Sequence, residues 1–250
     1  MIPIAESFLT GLKYKDAVVR AHCAHDLSNI VIGKIEDKRA LGRMLGRLTA
    51  ATLQAESMEA PDFPGFALRI ALRKIDDEAA ITPVMESSLQ GLKHKDSTMR
   101  AYFAHALAEN MAKIDNSKTL VGMVRPLTTL ALGPVDPADS GTSDLQARDS
   151  AYFALKQVLE KVDDQAALRS IVEPMTAALQ APQADQRRRA AHVVMLFAYK
   201  IENEAALAPL VRPLVRANFY DPDEDVRKQA GTALKKTFGS APAPAAHNDS

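Results

Sequence analysis

The chain has 250 residues with 31 basic and 31 acidic side chains, a pI near 7, 5 % aromatic residues and no tryptophan. Zero net charge argues against a dedicated duplex-binding domain, because such domains normally carry a basic excess that neutralises phosphates. A single cysteine excludes an intrachain disulfide, no stretch approaches the roughly 18 apolar residues of a membrane span, and residues 1–12 lack the features of a secretory signal, so we expect a cytoplasmic protein.

A four-residue marker recurs along the chain, made of a lysine, a branched apolar residue and two acidic or amide residues. The branched residues stand 40, 39, 48 and 39 positions apart. Self-similarity near 40 residues predicts an all-α solenoid of stacked helix pairs, a class that usually works as an extended binding surface. The branched residues are Ile35, Ile75, Ile114, Val162 and Ile201.

Each marker is predicted to precede the first helix of a pair. Apolar residues follow it at i, i+3, i+4 and i+7, as in Leu41, Met44, Leu45 and Leu48, and this spacing gives one apolar stripe on a helix. The last marker residue stands at the N-cap, where a side-chain oxygen accepts hydrogen bonds from amides of the first turn. The predicted caps are Asp37, Asp77, Asn116, Asp164 and Asn203.

A second helix is predicted after each polar turn, opening on an arginine. The copies of this arginine are Arg20, Arg100, Arg148 and Arg227. Small residues follow at helical spacing, as in Ala151 and Ala154 after Arg148. We expect these small residues to let neighbouring helices approach closely.

Prolines inside first helices, an Asp-bearing turn at 221–225 and the motif Val-Arg-x-x-Ala-x-x-Ala-Leu at 226–234 resemble the HEAT-repeat family. The resemblance covers about residues 2–238, or about six helix pairs, and it is weakest in the second pair. It implies a right-handed α-α superhelix whose second helices line the concave face. It also implies no catalytic activity, since most members are scaffolds for protein partners. The kinking prolines are Pro126, Pro174 and Pro213.

Two segments depart from the repeat. The long step between the third and fourth markers predicts an insertion loop at about 133–146. The tail at 240–250 is rich in proline and alanine and cannot bury apolar surface, so we predict that it is disordered. Residues 1–239 are therefore expected to form a single solenoid.

Superposing the second helices predicts a binding surface that mixes aromatic, histidine and charged side chains, a composition typical of interfaces. An alternative for Phe66 and Phe153 is packing between repeats. Segments 6–16 and 86–96 match each other, which places Tyr14 and His94 in equivalent turns that extend the surface. The candidates on the second helices are His25, Asn29, Phe66, Arg69, Arg73, His105, Glu109, Phe153 and Lys156.

Catalytic and metal sites find little support in the sequence. His22, Cys23, His25 and Asp26 cluster on one predicted helix, but a catalytic zinc site needs a third ligand and a supporting shell, so we interpret them as structural polar groups. The His-Glu pairs of di-iron hydroxylases in the HEAT family are absent, as are phosphate-loop and nucleophile-elbow motifs. We predict no enzyme activity, no metal and no cofactor.

The sequence leaves three functions open. The first is a non-enzymatic scaffold or adaptor that binds a protein partner, and the mixed charge of Arg69, Arg73 and Glu109 favours it. The second is a groove for nucleic acid or another phosphorylated ligand, as in HEAT-like glycosylases, with basic groups at 39–47 and 187–189. The third is an accessory or lyase-like subunit, since some HEAT-like families assist cofactor attachment.

Overall fold

The computed structural model describes residues 1–60, 62–133 and 141–239. These residues form helices joined by short turns, and no strand occurs among them, which confirms the all-α prediction. None of the described helices is long and apolar enough to cross a membrane. The predicted tail at 240–250 and residues 134–140 of the predicted insertion loop lie outside the described residues.

The helices follow one another in the order expected for six pairs. The first helices are α1 (Ile2–Gly11), α3 (Lys38–Gln54), α5 (Glu78–Gly91), α7 (Ser117–Leu132), the broken α9 (Gln165–Ser170) and α10 (Val172–Ala178), and α12 (Ala208–Tyr220). The second helices are α2 (Ala17–Asp26), α4 (Gly65–Lys74), α6 (Ser97–Asn110), α8 (Thr142–Lys161), α11 (Ala184–Phe197) and α13 (Glu224–Phe238). Single 3-10 turns end on the lysine of three of the markers, at Ile32–Lys34, Met111–Lys113 and Ala198–Lys200, and another covers Glu204–Leu207.

The described residues group into two compact units. The first contains 1–60, 62–119 and 141–154, and the second contains 120–133 and 155–239. In the first unit α1 packs against α3 and α3 against α5, while α2, α4 and α6 each pack against the first helix of their own pair. In the second unit α10 packs against α11 and α12, and α13 packs against both α11 and α12. The single solenoid over 1–239 stays a prediction.

The predicted helix caps are confirmed. In every copy the side-chain oxygen of the last marker residue accepts a hydrogen bond from the amide two or three residues later, at 2.7–3.1 Å. Each bond satisfies one of the amides that a helix start leaves without an intrahelical partner. Four of the caps start a first helix, and Asn203 caps the 3-10 turn Glu204–Leu207 that precedes α12.

The predicted apolar stripe forms the contact surface of α3. Leu41, Met44, Leu45 and Leu48 are each at most 1 % exposed. Burying one such side chain contributes roughly 1.5–3 kcal/mol. This burial explains why α3 packs against α4 and α5 and not against solvent.

The lysine of the marker joins neighbouring helix pairs, a role that the sequence did not reveal. Lys113 Nζ donates to the backbone carbonyls of Leu72 and Ile75, both at 2.8 Å. Lys200 binds three carbonyls at the end of α8, and Lys74 binds one carbonyl in the 3-10 turn that ends on the lysine of the first marker. Helix ends leave such carbonyls without intrahelical donors, so each lysine stabilises the end of the preceding pair.

The segments 6–16 and 86–96, which match each other at a distance of eighty residues, belong to the first and third pairs, and their match has a packing cause. A Cβ atom on Gly11 would lie 2.2 Å from Sγ of Cys23, and one on Gly91 would lie 2.0 Å from Cδ2 of Phe103. Both glycines end a first helix, and both contact a side chain at the same position of the second helix. Glycine is required there because the two helices of the pair touch.

The starts of four second helices differ from the sequence predictions. The helices α2, α6 and α13 begin three residues before the arginine on which each was predicted to open. Helix α8 begins at Thr142, six residues before Arg148, so residues 142–146 of the predicted loop are helical. The reason is Asp144, 4 % exposed, whose oxygens accept from Arg148 Nε at 2.9 Å and from Arg100 Nη2 at 3.3 Å. A helix turn before Arg148 places this carboxylate between two guanidinium groups, which a buried charge needs.

The fifth first helix is broken and not only kinked. Helix α9 ends at Ser170 and α10 begins at Val172, two residues before Pro174. A proline ring clashes with the carbonyl four residues earlier, which here belongs to Ser170, and it also lacks the amide that would bond to that carbonyl. Pro126 and Pro213 lie inside continuous helices, α7 and α12.

Candidate binding surface

Helix α4 carries three of the predicted site residues on one exposed face. Phe66, Arg69 and Arg73 follow one another at i, i+3 and i+7, so they span about 10 Å along the helix. The residue Phe66 is 49 % exposed, and its ring meets the ring of Phe63 edge to face at 5.5 Å. About half of Phe66 therefore remains on the surface, while its ring also packs on Phe63.

The base of α4 is held by a buried tyrosine. The Tyr102 ring packs edge to face against Phe63 at 5.1 Å, and its hydroxyl donates to the carbonyl of Gly65 at 2.6 Å. Burial raises the pKa of Tyr102, so the hydroxyl stays a donor at physiological pH. This bond ties α6 to the first residue of α4 and fixes the start of the exposed face.

Four predicted site residues form one ion-pair cluster between α4 and α6. The Glu109 carboxylate accepts from Arg69 Nε at 3.1 Å, from Arg69 Nη2 at 3.1 Å and from Arg73 Nη2 at 2.8 Å. His105 Nε2 lies 3.3 Å from the same carboxylate and 3.2 Å from Arg69 Nη2. The structure brings these side chains together, although the sequence showed only that they share the second helices.

The electrostatics of Glu109 follow from this cluster. Partial burial alone would raise the pKa of Glu109, but hydrogen bonds from Arg73 and Arg69 and the charges of His105 and Arg69 outweigh it and lower the pKa to about 2. The carboxylate is therefore ionised throughout the physiological range. Its charge is compensated by two guanidinium groups.

An open groove of about 620 Å³ lies beside Phe66. Ala24, Phe63 and Phe66 are among the apolar residues that line it, together with Met58 from the segment between α3 and α4. Polar groups also line it, from His25, Asn29, Ser28 and Glu59. Met58 and Glu59 were missed by sequence reasoning because the second pair lacks the regular turn motif there.

A π-helical turn at Leu27–Val31 shapes one wall of the groove. In three pairs the branched residue of the marker follows the arginine near the start of the second helix by 14 positions. In the first pair Ile35 follows Arg20 by 15 positions. A helix accommodates one extra residue as a π turn, a feature that is frequent at functional sites. In this turn Ser28 donates to the carbonyl of Ala24 at 2.8 Å, and Asn29 Nδ2 donates to the carbonyl of His25 at 3.1 Å.

The turns inside the first and third pairs are equivalent, as predicted for Tyr14 and His94. Arg20 Nη1 donates to the carbonyls of Tyr14 and the next lysine at 3.0 and 2.9 Å, and Arg100 Nη1 does the same at His94, at 2.9 and 3.0 Å. Tyr14 is 58 % exposed, whereas His94 is half-buried and accepts from the Asp96 amide at 3.1 Å. Tyr14 is therefore the more accessible of the two side chains.

The remaining predicted site residues divide between the two units. Phe153 belongs to the first unit and is 57 % exposed, whereas Lys156 belongs to the second. In the second unit burial, followed by the charges of Lys156 and Lys236, lowers the pKa of His192. Lys236 Nζ also lies 4.5 Å from the centre of the Tyr199 ring.

In sequence position His192 is equivalent to three of the predicted site residues, although the sequence reasoning missed it. It stands nine positions before Ile201, the same distance at which three predicted residues precede their own markers. That spacing was a usable signal. Phe66, His105, Phe153 and His192 share it, whereas His25 precedes its marker by ten positions.

The two histidines and the cysteine on α2 lie in different environments. Cys23 is buried, and burial followed by the charge of Asp26 raises the pKa of its thiol. His25 is exposed beside Asp26, with Nδ1 and Oδ1 3.1 Å apart, and His22 Nδ1 lies 2.8 Å from the carbonyl of Val18. No group of three or more potential metal ligands occurs among the residues that the structure describes.

Several arginines considered for phosphate binding are paired with carboxylates. Arg47 forms an ion pair with Glu6. Within the run at 187–189, Arg187 pairs with an aspartate that follows α12, and the next two arginines both pair with Asp185. Each arginine of the run is thus paired with a carboxylate, and the run does not form a continuous basic surface.

Comparisons with known proteins agree with this architecture. A family model described as stalled ribosome sensor GCN1-like HEAT repeats matches residues 135–248. No curated protein matches the chain in sequence. The crystal structure of an engineered protein is similar over 93 % of this chain and 96 % of that one, with 19 % identity and a TM-score of 0.58.

Natural and designed repeat proteins show the same likeness. An archaeal HEAT-like repeats protein from Thermococcus onnurineus NA1 is 15 % identical with a TM-score of 0.57, over 93 % of this chain and 86 % of that one. A designed armadillo repeat protein in complex with the peptide (KR)4 is 16 % identical with a TM-score of 0.53, over 92 % and 98 %. At such identities the likeness shows the fold alone. This chain therefore shares the all-α fold of HEAT- and armadillo-like repeat proteins.

Proposed function

We propose that this chain is a non-enzymatic scaffold that binds a protein partner through its second helices and the turns inside the helix pairs. The observation that carries the proposal is the surface formed by Phe66, Arg69, Arg73, His105 and Glu109, here named the α4–α6 surface. It presents a half-exposed aromatic ring directly beside ordered charges. Aromatic and arginine side chains are enriched among residues that dominate binding energy.

The α4–α6 surface is already ordered without a partner. Two hydrogen bonds to Glu109 hold the guanidinium of Arg69, and the Phe63 ring supports Phe66. Ordering a long side chain on binding costs roughly 0.5–1.5 kcal/mol, and a side chain that is already held avoids part of this cost. Tyr14, with its exposed ring in the turn of the first pair, would extend the contact.

One structural relative supports a peptide as the kind of ligand. The designed armadillo relative is in complex with the peptide (KR)4, so a protein of this fold can bind a peptide. The nucleic-acid alternative has weaker support, because Glu109 compensates one of the two arginine charges on the α4–α6 surface, whereas phosphate binding needs several uncompensated basic groups. No observation on the described residues favours the accessory-subunit alternative.

The proposal can be tested by capture of a partner from native lysate on immobilised full-length chain. We expect a protein whose retention falls at least about fivefold with Phe66→Ala or Arg69→Ala. Arg43→Gln provides a matched control, because Arg43 is an exposed arginine on a first helix. Circular dichroism shows whether each variant is folded.

Two results would contradict the proposal. One is a partner retained equally by the wild type and both α4 variants. The other is retention of nucleic acid at about 150 mM salt that is lost on nuclease treatment, with the steep salt dependence of phosphate binding.

A further inference from the structure

The groove beside Phe66 has room for an apolar side chain. Its volume of about 620 Å³ lies within the roughly 300–1,000 Å³ of pockets that hold small ligands. Phe63 and Phe66 supply aromatic carbon to its lining, and Ala24 and Met58 supply aliphatic groups. Water in such a groove is displaced favourably by an apolar group, since apolar contact surface is removed from solvent.

The groove lies at the Phe66 end of the α4–α6 surface. The opposite end, at Arg73, carries a positive charge. Arg69 and Arg73 together carry two positive charges, and Glu109 carries one negative charge that both of them contact. The side chain of Arg73 is 58 % exposed, and in the described structure its ion pair is made through Nη2 to Glu109. One positive charge is therefore in excess on this surface, and its complement is a carboxylate.

The end of the surface beside the groove carries negative charge. Glu59 is exposed on the groove wall, and Asp26 lies beside His25 near the same wall. A ligand with an acidic group would be repelled there and attracted toward Arg73. The charges consequently give the surface a direction, from an acidic groove end to a basic end.

The separation of the two ends sets the length of a ligand. Phe66 and Arg73 are seven residues apart on a helix, which corresponds to about 10 Å. An extended peptide advances about 3.3–3.6 Å per residue. The apolar group and the acidic group of a bound segment would thus be about three residues apart.

We propose that the α4–α6 surface and its groove bind an extended segment of a partner protein that carries a large apolar residue and, about three residues away, an aspartate or glutamate. The apolar side chain enters the groove against Phe66, and the carboxylate pairs with Arg73. This inference rests on the proposed function and adds the chemistry of the partner segment. A basic or uncharged segment does not meet the excess charge of Arg69 and Arg73.

The test begins with selection of random seven-residue peptides displayed on phage against the full chain. We expect enrichment of peptides that hold Leu, Ile, Met or Phe about three positions from Asp or Glu. The best synthetic peptide is then titrated by fluorescence anisotropy. Phe66→Ala should weaken its binding about tenfold or more, and Arg73→Gln about fivefold.

A double-mutant cycle tests the ion pair between Arg73 and the acidic residue of the peptide. Replacing the acidic residue of the peptide by its amide should weaken binding to the wild type about fivefold, but it should change binding to Arg73→Gln by less than about twofold. Because Arg73 is exposed, this cycle is informative even if Phe66→Ala unfolds. Arg43→Gln and Tyr220→Ala, which remove an exposed arginine and an exposed aromatic elsewhere, should bind like the wild type.

The outcomes separate this inference from the proposed function. Selected peptides that are basic or uncharged but still require Phe66 overturn the acidic preference and support the binding surface. A cycle without coupling between Arg73 and the peptide carboxylate likewise overturns the inference. Selected peptides indifferent to both α4 variants also overturn it, and the lysate capture then decides the proposed function independently.

Discussion

Arg187 in α11 and Asp221 after α12 form a two-bond ion pair, in which Nε donates to Oδ2 at 2.6 Å and Nη2 donates to Oδ1 at 2.8 Å. Nη1 of the same guanidinium donates to two carbonyls of the turn before α11, at 2.9 and 2.7 Å. The hydrogen bond from Arg187 is the main cause that lowers the pKa of Asp221. Arg20 and Arg100 likewise bind their own turn and an aspartate of the next pair. The turn arginine thus connects consecutive pairs.

Arg187→Gln should lower the free energy of unfolding by about 3 kcal/mol, because removing one partner of a buried ion pair leaves the other charge uncompensated. The side chains of Arg187 and Asp221 are only 11 % and 6 % exposed. Urea denaturation followed by circular dichroism measures the change. The neighbouring Arg188, 45 % exposed, provides the control, and Arg188→Gln should cost at most about 1 kcal/mol. Equal losses in the two variants would refute the connecting role of Arg187.

Lys113→Met should lower the free energy of unfolding by about 1.5–3 kcal/mol, the usual contribution of hydrogen bonds to a charged group. The variant keeps the aliphatic stem but leaves the carbonyls of Leu72 and Ile75 without the Nζ donor. Lys118→Met changes an exposed lysine at the start of α7 and should be neutral within about 0.5 kcal/mol. Chemical denaturation of both variants under the same conditions provides the comparison. A neutral Lys113→Met would show that the marker lysine does not stabilise the preceding pair.

Gly91→Ala and Gly46→Ala should change stability in opposite directions. The new Cβ at Gly91 would lie 2.0 Å from the buried ring of Phe103, and overpacking of this kind costs about 1–3 kcal/mol. Gly46 lies inside α3 with no atom within 4 Å of the new Cβ, so alanine should stabilise the helix by about 0.5–1 kcal/mol. Thermal and urea unfolding test the pair. A stabilising Gly91→Ala would contradict the close helix contact.

Glu109→Gln should remove a pH-dependent part of the stability. The folded-state pKa of about 2 lies below the ordinary value of 4.5, so the ionised carboxylate stabilises the fold above about pH 5, and this contribution disappears as the pH falls toward 2. The free energy of unfolding of the wild type should exceed that of the variant by about 2 kcal/mol near pH 7, after allowance for solvent screening. The difference should shrink between about pH 4.5 and 2 in urea titrations. A difference that does not vary with pH would argue against the cluster.

Local features of the fold were predictable from the sequence. The five caps, the spacing of the markers and the stripe from Leu41 to Leu48 depend on neighbours within one or two helix turns. Amphipathic spacing and capping are properties of a short segment, so a single chain reveals them without knowledge of its packing. The same holds for the equivalence of Tyr14 and His94, which the eighty-residue match already indicated.

The roles of charged residues were not predictable, because their partners lie far away in the sequence. Lys113 binds carbonyls about 40 positions earlier, and Arg187 binds a carboxylate 34 positions later. The sequence therefore placed Arg187 in a basic run, and it separated Arg69 from Glu109, which the structure joins. Residue type shows that a side chain can form an ion pair, but it does not show with which residue.

The sequence by itself determined that this protein consists of repeated helix pairs, because hydrophobic periodicity and N-caps act within each helix. Only the tertiary structure decided where α8 begins, how the extra residue after Arg20 becomes a π turn, and where the groove beside Phe66 opens. Each of these depends on how one helix pair packs against the next. Burial of Asp144 between two arginines extends α8, and such burial exists only once the pairs have come together.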